Sequence, residues 1–122
     1  AKKHNVTSVD RSSKSLALVD NPNIQKIEAD LSDTARIREL IQDYDLVISA
    51  VPGFMGYKTV QTIIETGKNC VDISFMPEDC MQLDALAKEK GVTVIADMGV
   101  APGMPNLIAG YHHARMQIEE FI

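Results

Sequence analysis

The chain has 122 residues, 45% of them apolar and 24% charged, with a formal net charge of -5; that is room for one packed core of an ordinary soluble composition. The acidic balance, with no basic run and no aromatic-plus-basic stripe, excludes a nucleic-acid partner. No apolar stretch approaches the roughly 20 residues that cross a bilayer, and the polar opening Ala1-Lys2-Lys3-His4 is no signal peptide.

Residues 1–4 read as the tail of a helix, after which short apolar runs recur at regular intervals. Strands are predicted at 5–10, 24–29, 45–51, 70–74 and 92–97. The run Leu46-Val47-Ile48-Ser49-Ala50-Val51 is the most continuously apolar, as expected of a strand covered on both faces. A helix is expected over 33–42, with Ile37, Leu40 and Ile41 at helical spacing and Ser32 or Asp33 as N-cap. A second falls at 57–66 with Val60, Ile63 and Ile64, closed by Gly67. A third spans 78–90, where Lys88 and Lys90 precede Gly91; basic residues there offset the negative end of the helix dipole. The last runs from Met104 or Pro105 to about Met116, and residues 118–122 begin a further strand. Strands alternating with helices of about ten residues mean βαβ crossovers, so the fold class is α/β, a Rossmann-like doubly wound parallel sheet.

In such sheets ligands bind beyond the carboxyl ends of the strands. Four of the five predicted strand ends carry an aspartate (Asp10, Asp30, Asp72, Asp97), and the fifth is the turn Val51-Pro52-Gly53. A single aspartate there is as readily a turn or cap residue; the set of five is harder to explain so. An acid in the place of Asp10 accepts hydrogen bonds from the ribose hydroxyls and repels a 2'-phosphate, which favours NAD, with NADP possible. Arg11 pulls the other way, since a guanidinium stacks on adenine or pairs with a phosphate. The chain holds no Gly-x-Gly-x-x-Gly, the loop that brings backbone N–H groups to a pyrophosphate. With Asp10 as ribose acid, that loop is expected roughly 20 residues upstream. The fold is therefore expected to lack its first strand and glycine-rich loop. Residues 97–106 hold two glycines and two prolines, which suits either a rigid strand-to-helix connection or a loop approached by a flat ligand.

Cys70 and Cys80 form neither a disulfide framework nor a redox pair; Cys70 reads as a buried strand residue and Cys80 as a helix residue. Such cysteines suit a cytoplasmic protein. His112 and His113 face different sides of their helix and have no partner at ligand spacing, so no metal site is expected.

The order and spacing of four segments resemble the saccharopine dehydrogenase superfamily, which includes saccharopine reductases and lysine 6-dehydrogenase. They are Val6-Thr7-Ser8-Val9-Asp10-Arg11-Ser12, Asp45-Leu46-Val47-Ile48-Ser49-Ala50-Val51-Pro52, Val71-Asp72-Ile73-Ser74 and Asp97-Met98-Gly99-Val100-Ala101-Pro102-Gly103. The last is the most specific, and the likeness runs over the whole chain. The resemblance implies a partial NAD(P)-binding domain over 1–122, with the substrate domain outside this chain. It places Asp10, Arg11 and Ser12 at the adenosine ribose and Asp30 and Leu31 beside adenine. Val51 and Pro52 then run along the cofactor, Ile73 and Ser74 reach the nicotinamide, and Val100, Ala101 and Pro102 close over it. The implied chemistry is hydride transfer between a nicotinamide and an amine-bearing carbon of an amino acid, through an imine. Ala101 stands where saccharopine reductases have a substrate-binding aspartate, which leans towards the lysine 6-dehydrogenase-like branch. No catalytic residue is assigned. A sensing domain of the same fold without turnover is the alternative, to be told apart by whether a long α+β substrate domain accompanies it. The strand edges left open lead us to expect a homo-oligomer.

Overall fold

The computed structural model describes residues 4–120. Strands β1 (Val6–Asp10), β2 (Ile24–Glu28), β3 (Leu46–Ser49), β4 (Asn69–Asp72) and β5 (Val94–Ile95) alternate with helices α1 (Ser13–Ala17), α2 (Thr34–Ile41), α3 (Gly53–Glu65), α4 (Asp84–Lys90) and α5 (Met104–His113). Every pairing is parallel, so the α/β fold with parallel sheets is as expected. The strands form two sheets, β1-β2 and β3-β4-β5. In a six-stranded dinucleotide-binding sheet of order 3-2-1-4-5-6, this break falls at the place of the first strand.

The core lies on one side of the larger sheet. Ile37 and Ile41 of α2, Val60, Ile63 and Ile64 of α3, Cys70, Met76 and Leu83 form one buried cluster, with Val47 and Val94 packed against it. Register explains the selection. Val47 pairs with Cys70 and Cys70 with Val94, so the three side chains form a row under the helices. Strand order β3-β4-β5 runs in one direction, and right-handed crossovers then place α3 and α4 on the same face.

Local chemistry accounts for the element ends. Asp33 caps α2 by accepting from Ala35 N–H at 2.9 Å. Gly91 adopts φ 66° at the end of α4, and Val92 N–H donates to the Ala87 carbonyl at 3.1 Å, a Schellman closure. Val92 is thereby spent on the helix end, and β5 is shorter than the predicted 92–97. At its other end Asp97 takes φ 55° and turns the chain away. The predicted helix 78–90 divides into a 3₁₀ turn, Cys80–Leu83, capped by Asp79, and the α-helix α4. Helix α3 starts four residues before the predicted 57, directly after Pro52. The five-residue α1, capped by Ser12 and burying only Leu16, is too short to show a periodicity and was not predicted. Residues 118–120 carry no regular structure, and 121–122 lie outside the described residues. The helical reading of 1–3 also lies outside them, while His4 is a bend rather than helix.

Candidate cofactor site at the strand ends

The residues predicted to bind the cofactor sit at carboxyl strand ends or in the loops that follow them. They fall into two groups, one on each sheet.

The first group closes β1 and β2. Asp10 is the last residue of β1, and its Oδ1 accepts the Ser12 N–H at 2.7 Å. Ser12 Oγ in turn accepts Ser15 N–H, so the Asp10-Arg11-Ser12 corner is a tight turn into α1. Asp30 is exposed and accepts Ser32 N–H at 2.9 Å. Its carboxyl is held below the ordinary aspartate value by hydrogen bonds from Ser32 and by the charge of Arg11. The corners after β1 and β2 therefore share an electrostatic environment, with Arg11 exposed beside Asp30. Leu31 is half-buried against the core cluster and lines a cleft of about 110 Å³ with Ser32, Thr34, Phe54, Met55, Lys58 and Thr59. A larger groove of about 470 Å³ between α3, α4 and β5 is lined by none of the predicted cofactor-binding residues.

The second group closes β3, β4 and β5. Val51 is half-buried and Pro52 exposed, at the start of α3, whose first turn has no side-chain cap. Ile73 N–H donates to the Ser49 carbonyl at 3.0 Å, and its side chain is partly exposed. Ser74 is buried, and both its N–H and its hydroxyl donate to Asp72 Oδ2, at 3.0 and 2.8 Å. The loop after β5 reaches this corner, because a Cβ on Gly99 would stand 3.8 Å from Ile73 Cβ. Met104 N–H donates to the Gly99 carbonyl at 3.0 Å. Gly103, at φ 123°, packs so closely that a Cβ would meet Gly99 O at 2.5 Å and Asp97 O at 2.6 Å. Val100 and Ala101 are exposed at the crest and Pro102, after a cis peptide bond, is half-buried.

Three groups that shape this corner were not assigned a role from the sequence. Asp72 is fully buried and organises both neighbouring loops, its carboxylate holding Ser74 and its carbonyl accepting Met98 N–H at 3.0 Å. Aspartate two residues before serine at a strand end is the sequence signal for such a turn. Gly53 and Gly56 let α3 lie against residues 74–76; a Cβ on Gly53 would stand 2.6 Å from the Phe75 carbonyl oxygen. Ser49 Oγ, Asp72 Oδ1 and Asp97 Oδ1 are buried without a protein partner, and no residue pattern foretold that.

Cys70 is buried and Cys80 partly buried, and both thiols are free. Burial and the nearby Asp72 push the Cys70 thiol up to about 12; burial and Asp97 raise Cys80. Neither is a thiolate nucleophile at neutral pH. Among the described residues no cluster of three metal-ligating side chains occurs, and no helix is long and apolar enough to cross a membrane.

Parallel strands joined by helical crossovers, with their loops gathered beyond the carboxyl strand ends, are the layout of the doubly wound α/β class, whose ligands bind at those ends. The sequence model described as "Saccharopine dehydrogenase NADP binding domain" matches residues 1–95, and the chain belongs to this family. It is 32% identical over 83 residues to the saccharopine dehydrogenase [NADP(+), L-glutamate-forming] of Pyricularia oryzae, covering 68% of this chain and 18% of that protein. It is 27% identical to the same-named protein of Schizosaccharomyces pombe, over 99% of this chain and 28% of the relative. Among solved structures, apo saccharopine dehydrogenase (L-Glu forming) from Saccharomyces cerevisiae superposes with a TM-score of 0.71 at 25% identity, covering 90% of this chain and 26% of that one. The chain thus spans less than a third of each of these relatives.

Proposed function

We propose that this chain is the part of an NADP(H)-dependent oxidoreductase that holds the adenosine and nicotinamide ends of the cofactor. The protein acts at a C–N bond of an amino acid. The observation that carries this is the convergence of the strand-end corners with the family match over 1–95. In this reading Asp10, Arg11 and Ser12 contact the adenosine ribose and its phosphate, and Asp30 and Leu31 flank adenine. Val51 and Pro52 follow the cofactor. Ile73, Ser74 and Val100, Ala101 and Pro102 enclose the nicotinamide.

The residues fit the group. Asp10 Oδ1 accepts the Ser12 N–H and Arg11 stands exposed beside it, where a guanidinium can meet a 2'-phosphate. With the match to an NADP binding domain, that supports NADP(H), and the expectation of NAD gives way to it. At the other end, exposed Val100 and partly exposed Ile73 offer apolar surface to a flat ring. When bound, the dinucleotide supplies hydride transfer; the chain's own part is orientation and exclusion of water. Ser74, locked by Asp72, keeps the ring's edge of the pocket in one shape.

Isotope-edited NMR of this chain during titration with NADPH and NADH is the test, because it reads binding even when affinity is low. We expect NADPH to perturb the amides of residues 10–12, 30–32 and 73–74, and to do so at lower concentration than NADH. Arg11→Ala should remove the difference between the two. Equal response to both cofactors, or perturbation elsewhere, would overturn the assignment. Reduction of NADP+ by the full-length protein with saccharopine, compared with lysine, tests the C–N chemistry separately.

A further inference from the structure

Three buried polar atoms at the carboxyl end of the larger sheet have no partner among the described residues: Ser49 Oγ, Asp72 Oδ1 and Asp97 Oδ1. Buried polar atoms are normally paired, and where the protein offers no partner an internal water commonly does. Ser49 is 4% exposed and Asp72 not at all. The chain's own residues enclose all three atoms, so whatever satisfies them lies inside this domain.

Backbone geometry brings the three together. Ser49 and Asp72 are register partners on β3 and β4. They stand two residues beyond Val47 and Cys70, so their side chains continue the row beneath the helices. Ile73 N–H donates to the Ser49 carbonyl and Met98 N–H to the Asp72 carbonyl, each at 3.0 Å; Asp72 therefore stands between Ser49 and Asp97. Burial, followed by the charges of Asp97, Asp79 and Asp72, raises the Cys80 thiol. Cys80 packs against the core cluster, so the carboxylates of Asp72 and Asp97 both lie near one core-side group.

The atom types select what joins them. A carboxylate oxygen only accepts, and a serine hydroxyl brings a single hydrogen, so the three atoms together are short of a donor. A water supplies two hydrogens and accepts the third. Two groups each about 2.8 Å from one water stand roughly 4.6 Å apart. Neighbouring strands are about 4.8 Å apart, so one water spans side chains at paired register positions.

We propose that an internal water bridges the ends of β3, β4 and β5, donating to Asp72 Oδ1 and Asp97 Oδ1 and accepting the Ser49 hydroxyl. Asp72 Oδ2 meanwhile holds Ser74 by two hydrogen bonds, so the water ties the Ser74 corner to the loop that begins at Asp97. Ser49 and Asp97 are then positioning residues, acting on Ser74 through the water and Asp72. That this corner is the nicotinamide end rests on the cofactor reading above; the water does not.

Oxygen-17 relaxation dispersion of the cofactor-free chain, which counts long-lived internal waters in solution, tests it apart from any NADPH titration. Ser49→Ala and Asp97→Gly should each remove about one such water from the wild-type count. Glycine keeps the turn at φ 55° without strain. Asp97→Asn keeps an oxygen at the site and a residue tolerant of that φ, so it should retain the water. In both depleted variants the Ser74 amide should exchange faster with solvent; unchanged exchange would overturn the positioning role. A folded variant of either kind that keeps the wild-type count overturns the proposal, and the two lie on different strands, so one carries the test should the other lose its fold. Loss of the water in Asp97→Asn overturns it as well. A saturable shift of the wild-type Ser74 amide with sodium or potassium chloride would then put a cation between the carboxylates.

Discussion

The β1–β2 ladder and the β3–β5 ladder are both parallel, but their packing differs. Residues of α2, α3 and α4 bury Ile63, Ile64, Val60 and Cys70 above the larger sheet, all at 1% exposure or less. Around the smaller sheet, among the described residues, only Leu16 and Ala29 are buried, and β2 is half-buried at Ile24 and Ile27 with charged or polar residues between. The proposed adenosine end is thus carried by the lightly packed region and the nicotinamide end by the densely packed one. Positional precision matters most where a hydride is to move, and regions with few buried contacts open most readily. The corners after β1 and β2 are therefore expected to open first, and the Asp72 corner last.

The largest expected effect is on the dense side. Ile64→Ala leaves a cavity in the centre of the cluster and should cost about 4 kcal/mol, read as a lower urea midpoint at unchanged m value. Leu16→Ala, under the small sheet, should cost nearer 2 kcal/mol; equal losses would mean that the two regions are equally packed. Next is Gly103→Ala, which combines φ 123° with contacts below 3 Å to Gly99 and Asp97. We expect about 1–3 kcal/mol, with hydrogen exchange accelerating in 97–104 and unchanged in β1–β2.

A smaller effect probes the junction of the two regions. Thr7 Oγ1 of β1 and the Tyr44 hydroxyl just before β3 lie 2.6 Å apart. Tyr44→Phe should cost about 1 kcal/mol, and a double-mutant cycle with Thr7→Val should show coupling of similar size. Additivity of the two would mean that the regions are not joined there.

The smallest concerns pH. The hydrogen bond from Arg38 and its charge hold the Glu65 carboxyl below the ordinary glutamate value, tying α2 to α3. A depressed folded value gives stability that is present above the unfolded pKa, about 4.3, and lost as pH falls through the folded one. Glu65→Gln should therefore lower stability modestly at neutral pH and match the wild type in strong acid. Solvent at this partly exposed pair keeps the difference small. An unchanged gap across the acid range would assign the effect to packing instead.

Fold class was legible because period-2 and period-3.6 apolar patterns are local, and because caps such as Asp33 and stops such as Gly91 act within a turn of their own residue. The strand-end positions Asp10, Arg11, Ser12, Asp30, Leu31, Ile73 and Ser74 followed from the same reading. Three things were decided by tertiary structure. The separation into two sheets depends on which strand edges meet, and no local pattern records that. The early start of α3 depends on Gly53 and Gly56 passing close to residues 74–76, a contact between segments some twenty residues apart. The packing of half-buried Val47 and buried Cys70 against the helices, and the exposure of Ile48 and Ile95, turn on the hand of the crossovers. All four are apolar strand residues, and only the side on which the helices return sets one row in the core and leaves the other open.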